Sequence, residues 1–320
     1  MTDSAGRQVT VPDRIARVIA AGPPASVLLS MLAPQKMVGW NRRPTSEELP
    51  YLAPAIRDLP EIGRLTGRGG TENLEIIVAA KADIIVDFGS LSDTYVSLAN
   101  RVQAQTGVPY LLIDGRFANT VAALRLLGDI LGVADRAEQL ARRAEAIFAE
   151  TDRAKASAGK PPRVYLARWP RGLETGNRGS INTEIIERAG AVNVVDDGLE
   201  RGGLRGTSLE QVLAWNPDTI ITLDAAFPAT ARSSAGWADV DAVRRDRVFV
   251  SPRLPYGWID SPPSVNRLIG LQWLTRIFYP EVAAADIRRE AADFYRLFYQ
   301  VDLSGTELNR LLGGTRKARE

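Results

Sequence analysis

NLEIIVAAKADIIVD, residues 73–87, is answered later in the chain by SLEQVLAWNPDTIIT, residues 208–222. Each stretch places a polar residue, Leu and Glu ahead of an apolar-rich turn or two, reaches an Asp, and runs into isoleucine-rich sequence. Such a pattern is a short helix feeding a buried strand. Asn73 or Ser208 can cap that helix by accepting a hydrogen bond from an otherwise unpaired N–H. Glu75 or Glu210 then sits in the first turn, where the helix dipole favours negative charge. Capping accounts for either glutamate taken singly, but not for the recurrence.

Working outward, strand patterns fall at Val18–Ala21, Met37–Trp40, Ile84–Phe88, Tyr110–Asp114, Arg163–Leu166, Thr219–Leu223 and Val248–Val250. Helical or loop stretches separate them, which argues for α/β layers with mainly parallel sheets. Residues 134–158 differ: they hold no Gly or Pro, and their apolar positions include Ala137, Leu140, Ala144, Ile147 and Phe148. That spacing predicts one long amphipathic helix, stopped by Gly159 and the Pro161–Pro162 pair. The chain therefore divides into an N-terminal α/β lobe over 1–133, a connecting helix over 134–158 and a C-terminal α/β lobe over 159–320. Each lobe carries one copy of the repeated stretch.

With 320 residues, 45% hydrophobic and 24% charged, the chain can bury a large core. A net charge of +2, with no basic run interleaved with aromatics, argues against nucleic acid. No apolar run approaches the ~18–20 residues that cross a bilayer. The chain has no cysteine and no histidine. This removes thiol nucleophiles, imidazole or thiolate metal ligands, disulfides and any histidine general base. The opening MTDSAGRQVTVPDRIARVIAAG lacks the basic start and apolar core of a signal peptide, so either the start is cytoplasmic or a signal has been removed.

Enzyme motifs are wanting. GRLTGRGGT, residues 63–71, lacks the Lys-Ser/Thr of a P-loop and the third glycine of the dinucleotide fingerprint. No G-x-S-x-G elbow occurs, and the carboxylate pairs Glu47–Glu48 and Asp196–Asp197 are sequence neighbours that point apart. A two-lobed, glycosyltransferase-like enzyme is the remaining enzyme alternative.

Several stretches in order resemble the class III, helical-backbone periplasmic substrate-binding proteins of ABC importers that take up ferric siderophores, haem, cobalamin and related complexes. They are DSAGRQVTVPDRIARVIAAG, LPEIGRLTGRGGTENLEIIVAAKADIIVDFG, AGAVNVVDD, TSLEQVLAWNPDTIIT, WADVDAVRRDRVFVSP and FYRLFYQVDLSGTELNRLL. The resemblance implies two Rossmann-like lobes joined by one long rigid helix, a ligand cleft between them, a monomer, no resident cofactor and an extracytoplasmic location after signal removal. It also implies docking on a two-fold permease through one acidic residue per lobe, which by motif position are Glu75 and Glu210. Complementary charge steers and registers such docking.

Ligand contacts are expected from loops at the carboxyl ends of strands. Those loops carry Trp40, Arg42, Arg68, Arg116, Arg168, Trp169, Arg178, Arg253, Tyr256 and Trp258. Arginine forks bind carboxylate-, phosphate- or catecholate-like oxygens, and the aromatics offer flat walls. Arg178, Ser180 and Asn182 could offer donors near a helix start. Pro262 and Pro263 fit the start of a helix capped by Asp260 or Ser261, with Tyr256 and Trp258 just before it as cleft walls. The expected ligand is a bulky anionic metal chelate, foremost a ferric siderophore, whose chelator already fills the metal's coordination sphere. Haem, ligated by Tyr256, cobalamin and a molybdate-like oxyanion remain open.

Overall fold

The computed structural model describes residues 1–67, 74–157, 159–196, 203–281 and 286–313. The chain forms two units. One takes residues 1–146 with the returning segments 262–265 and 293–302; the other takes 147–261, 266–292 and the chain from 303 on.

In the first unit, β1 (Val18–Ala20), β2 (Ile84–Gly89) and β3 (Tyr110–Asp114) pair in parallel in that order, with Ile19 opposite Ile85 and Val86 opposite Leu111. The expected strand at Met37–Trp40 makes only single parallel bridges, Val18 to Met37 and Trp40 to Glu61. It leaves β1 after one residue and swings to Pro60–Ile62, where Trp40 N–H donates to Pro60 O and Ile62 N–H to Trp40 O, both at 2.8 Å. Parallel pairing needs crossovers. Here they include α1 (Pro23–Leu32), α2 (Leu74–Ala79) and α3 (Asp93–Thr106), and α4 (Thr120–Ile130) follows β3. Val27, Leu28, Leu29 and Met31 of α1 are wholly buried, each worth about 1.5–3 kcal/mol. α3 stops at Gly107, whose positive φ of 71° lets its N–H return to Gln103 O.

α5 (Ala134–Ala156) is the expected long helix. Ala137, Leu140, Ala141, Ala144, Ile147, Thr151 and Ala154 form its buried stripe, three or four residues apart. The boundary between the units falls inside it, between Ala146 and Ile147.

The second unit holds a parallel sheet in the order β6-β4-β8-β9, made of β4 (Arg163–Ala167), β6 (Val192–Asn193), β8 (Thr219–Thr222) and β9 (Val248–Val250). An antiparallel ribbon joins β5 (Glu174–Gly176) to β7 (Leu204–Gly206), a pair too short to stand out in the sequence. α6 (Glu184–Arg188), α7 (Leu209–Trp215), α8 (Phe227–Ser233), α9 (Ala235–Ala238) and α10 (Asp241–Arg244) connect the strands. Tyr165, Phe227 and Trp237 centre the core, Phe227 meeting Trp237 edge to face at 4.9 Å and Tyr165 donating its hydroxyl to Gly172 O at 2.7 Å. α11 (Arg267–Phe278) begins after Asn266, so Pro262 and Pro263 precede the helix rather than start it, and Asp260 and Ser261 are not its caps. α12 (Ile287–Phe294) runs into a π-helical turn, Tyr295–Tyr299. This turn joins the first unit, where Tyr295 packs on Tyr51 at 6.0 Å and Leu297 O accepts from Arg136 at 2.5 Å. α13 (Gly305–Leu312) starts with a reciprocal cap between Ser304 and Glu307.

The repeat is structural down to single residues. α2 feeds β2 as α7 feeds β8, and Lys81 and Asn216 fill the same left-handed position after each helix, with φ of 47° and 41°. Two residues on, Asp83 accepts from Ala16 and Arg17 N–H at 2.7 and 2.8 Å, and Asp218 accepts from Arg163 N–H at 3.0 Å. Each Asp thus ties the start of its own strand to the start of its neighbour. Among the described residues, no helix is long and apolar enough to cross a membrane.

Asp87 sits in the middle of β2, 4% exposed, with Tyr110 Oη donating to it at 3.0 Å. Burial pushes its carboxyl up to about 6, while hydrogen bonds from Tyr110, Phe88 N–H and Thr66 pull the other way. The folded chain therefore holds this proton more tightly than the unfolded one, and stability falls as pH rises through roughly 4 to 6. The penalty at pH 7 is about 3 kcal/mol. Asp87→Asn should match the parent near pH 4 and exceed it by about 1–3 kcal/mol near pH 7 in denaturant titrations; a stability difference that does not change with pH would contradict the assignment.

Candidate ligand-binding site

The carboxyl edge of each parallel sheet gathers the loops that enter the helices. In the second unit, β4 runs directly into Arg168 and Trp169. Arg168 is 7% exposed, donates Nε to Glu174 Oε1 at 3.0 Å and Nη1 to Asp260 Oδ2. Asp260, 1% exposed, accepts on its other oxygen from Asn182 Nδ2 at 3.0 Å. Beneath them Arg267 is wholly buried and donates to Ile181 O at 2.7 Å and Glu184 Oε1 at 2.9 Å. Burial pushes the Arg267 guanidinium down, and the charge of Glu184 opposes it. One ionic chain thus fastens the end of β4, the β5 ribbon, the 177–183 turn and the approach to α11.

Arg168 is accordingly a structural hub whose charge two carboxylates already meet, rather than a free anion receptor. Trp169 stands beside it with 57% exposure and a left-handed φ of 63°, held by Nε1 donating to Glu174 Oε1 at 3.0 Å. A bulky residue in that conformation is strained. Arg178 pairs with Asp196 at 2.5 Å and donates to Asn193 O at 3.1 Å. Arg253 is exposed and, among the described residues, has no hydrogen-bond or ion-pair partner. Tyr256 is half-buried. Trp258 is fully buried, its N–H donating to Pro252 O at 3.0 Å, so it is core and not a solvent-facing wall.

In the first unit, Trp40 is likewise core: it is 2% exposed and its Nε1 donates to Ile56 O at 2.7 Å. Arg42 pairs with Glu48 at 2.7 Å and Arg116 with Asp114, both on the surface. Arg68 lies outside the described residues, as does Asn73. Glu75 and Glu210 are exposed in the first turns of α2 and α7. Ser208 Oγ caps α7 by accepting from Gln211 N–H at 3.2 Å, and the Glu210 carboxyl is held low by its own N–H and by Ser208. The roles of Asp260 and Arg267 escaped the sequence because a buried charge partner leaves no local pattern. Among the described residues, no group of three or more acidic, histidine or cysteine side chains is placed to hold a metal ion.

Residues 33–253 match the family described as periplasmic binding protein. The chain belongs to that family. It is a solute-binding protein of an ABC importer and not an enzyme. An ABC transporter solute-binding protein from Sulfurospirillum deleyianum superposes with a TM-score of 0.87 at 27% identity, covering 98% of both chains. The molybdate-binding protein MolA of Haemophilus influenzae is 26% identical over 94% of this chain and 90% of its own. An uncharacterised ABC transporter substrate-binding lipoprotein of Bacillus subtilis, YvrC, is 21% identical over 87% of this chain and 85% of its own.

The ionic hub makes a prediction. Asp260→Ala leaves Arg168 buried with half its partners and should cost this periplasmic binding protein about 3–5 kcal/mol in denaturant unfolding. Arg116→Ala, which breaks a surface pair, should cost less than about 1 kcal/mol. Equal losses would contradict the distinction between hub and surface arginines.

Proposed function

We propose that this chain captures a compact tetrahedral oxyanion of the molybdate class outside the cytoplasm and delivers it to a membrane permease. The likeness to molybdate-binding MolA over nearly the whole of both chains carries this reading. The charge inventory supports it. Arg42, Arg116, Arg168 and Arg178 are each paired with a carboxylate of their own unit, so these four expected contacts for a large anionic chelate are already engaged. A chain without histidine or cysteine also suits a solute that needs no protein ligand to its metal.

A ferric siderophore is the second reading. Exposed Trp169 and Arg253, the latter without a partner among the described residues, favour it, since both follow strands of one sheet and would suit a flat anionic chelate. Titrating tryptophan fluorescence with molybdate, tungstate, sulfate and a ferric catecholate separates the two. Saturation by molybdate and tungstate alone is the expected result; saturation by the catecholate alone would replace the first reading with the second.

Glu75 and Glu210 are the proposed permease contacts. Both are exposed and occupy equivalent places in the repeat, so the same charge is offered twice to a two-fold partner. The double variant Glu75→Ala, Glu210→Ala should bind solute like the parent yet lose uptake into vesicles carrying the cognate importer. Retained uptake would reduce both residues to helix-start charges.

A further inference from the structure

The start of α1 carries polar groups that neither the packing of the first unit nor permease docking uses. β1 ends at Ala20, Gly22 is the N-cap of α1, and the first two helical residues are Pro23 and Pro24. Proline has no N–H to offer. The donors left at this helix start are Gly22 N–H and Ala25 N–H, and among the described residues neither has a hydrogen-bond partner.

Ser26 lies one turn from Gly22 on the same helix face, and a helical side chain leans toward the N-terminus. It is 5% exposed, its N–H donates to Gly22 O at 3.0 Å, and its hydroxyl oxygen is buried without a partner. A helical serine commonly returns its hydroxyl to a carbonyl three or four residues back. Ser30 on the same helix does so, donating to Val27 O at 2.7 Å, whereas Ser26 does not. Leaving such a group unmatched costs about 1–3 kcal/mol.

Nearby, Asn41 donates its amide to Ala20 O at 2.8 Å and Gly63 O at 2.9 Å, and its Oδ1 is also buried without a partner. Gly22 passes so close to Thr66 that a Cβ there would stand 2.1 Å from Thr66 Oγ1. Thr66 therefore stands against Gly22 as a wall.

We infer that the start of α1 is an oxyanion subsite, with the Ser26 hydroxyl, Ala25 N–H and Gly22 N–H as its donors. It rests on the solute being an oxyanion. A helix N-terminus directs N–H groups and the positive end of its dipole at such a ligand. The donors are neutral, so selection here works through their placement rather than through a bound arginine. Asn41 Oδ1 is an acceptor and takes a bridging water or a protonated ligand oxygen.

Calorimetric titration with sodium molybdate, on the parent and on Ser26→Ala, tests the subsite. The parent should bind, and Ser26→Ala should bind about 10- to 100-fold more weakly, the loss of one hydrogen bond to a charged group, with a melting temperature no lower than the parent's. Equal affinity overturns the subsite while leaving the oxyanion solute in place. A parent that binds no molybdate, tungstate or sulfate overturns both. Should Ser26→Ala fail to fold, a tungstate-soaked crystal decides: tungsten within hydrogen-bond reach of Ser26 Oγ and Ala25 N supports the subsite. Tungsten elsewhere, or only an ordered water at that place, overturns it.

Discussion

Parallel pairing makes every strand begin at the same edge of its sheet, so the chain must cross back before the next strand can form. In both units this sends all the loops that enter crossovers to the carboxyl edge. Gly22 and Ser26 in the first unit, and Arg168, Trp169 and Arg253 in the second, owe their positions to that constraint. So do Asp83 and Asp218 at the opposite edge, where each aligns two strand starts.

Electrostatics within this frame is mostly local. A guanidinium needs carboxylate or carbonyl oxygens in its own plane, and the nearest ones are supplied by the same unit. Arg168 and Arg267 are buried only because Glu174, Asp260 and Glu184 are there to receive them. The result is a second-unit edge fastened by the Arg168 and Arg267 ion pairs. The first unit offers neutral donors instead, and a buried carboxyl, Asp87, that its surroundings hold partly protonated near pH 6.

Much of the fold was legible because periodicity is a local signal. Six of the seven expected strands form, α5 appears almost at its expected bounds, and the repeat marks helix-to-strand units in both halves. Met37–Trp40 misled because its apolar residues are core, though its backbone pairs with two different neighbours for a residue each. The return of 262–265 and 293–302 to the first unit depends on long-range packing, such as Tyr51 on Tyr295, that no window of sequence contains. Site residues were less legible for the same reason. Trp40 and Trp258 looked like walls because they flank loops, and only their burial shows them to be core. Ser26 went unnoticed because a serine in an apolar helix looks ordinary until its hydroxyl is found without a partner.

The family scaffold thus carries two proposed docking charges, Glu75 and Glu210, and a proposed subsite of neutral donors suited to a small solute. Native mass spectrometry of the protein released from its own host tests that combination most directly. It should show the chain carrying the added mass of one tetrahedral oxyanion, lost on mild activation. An added mass of a whole ferric chelate, or of a haem, would contradict the account.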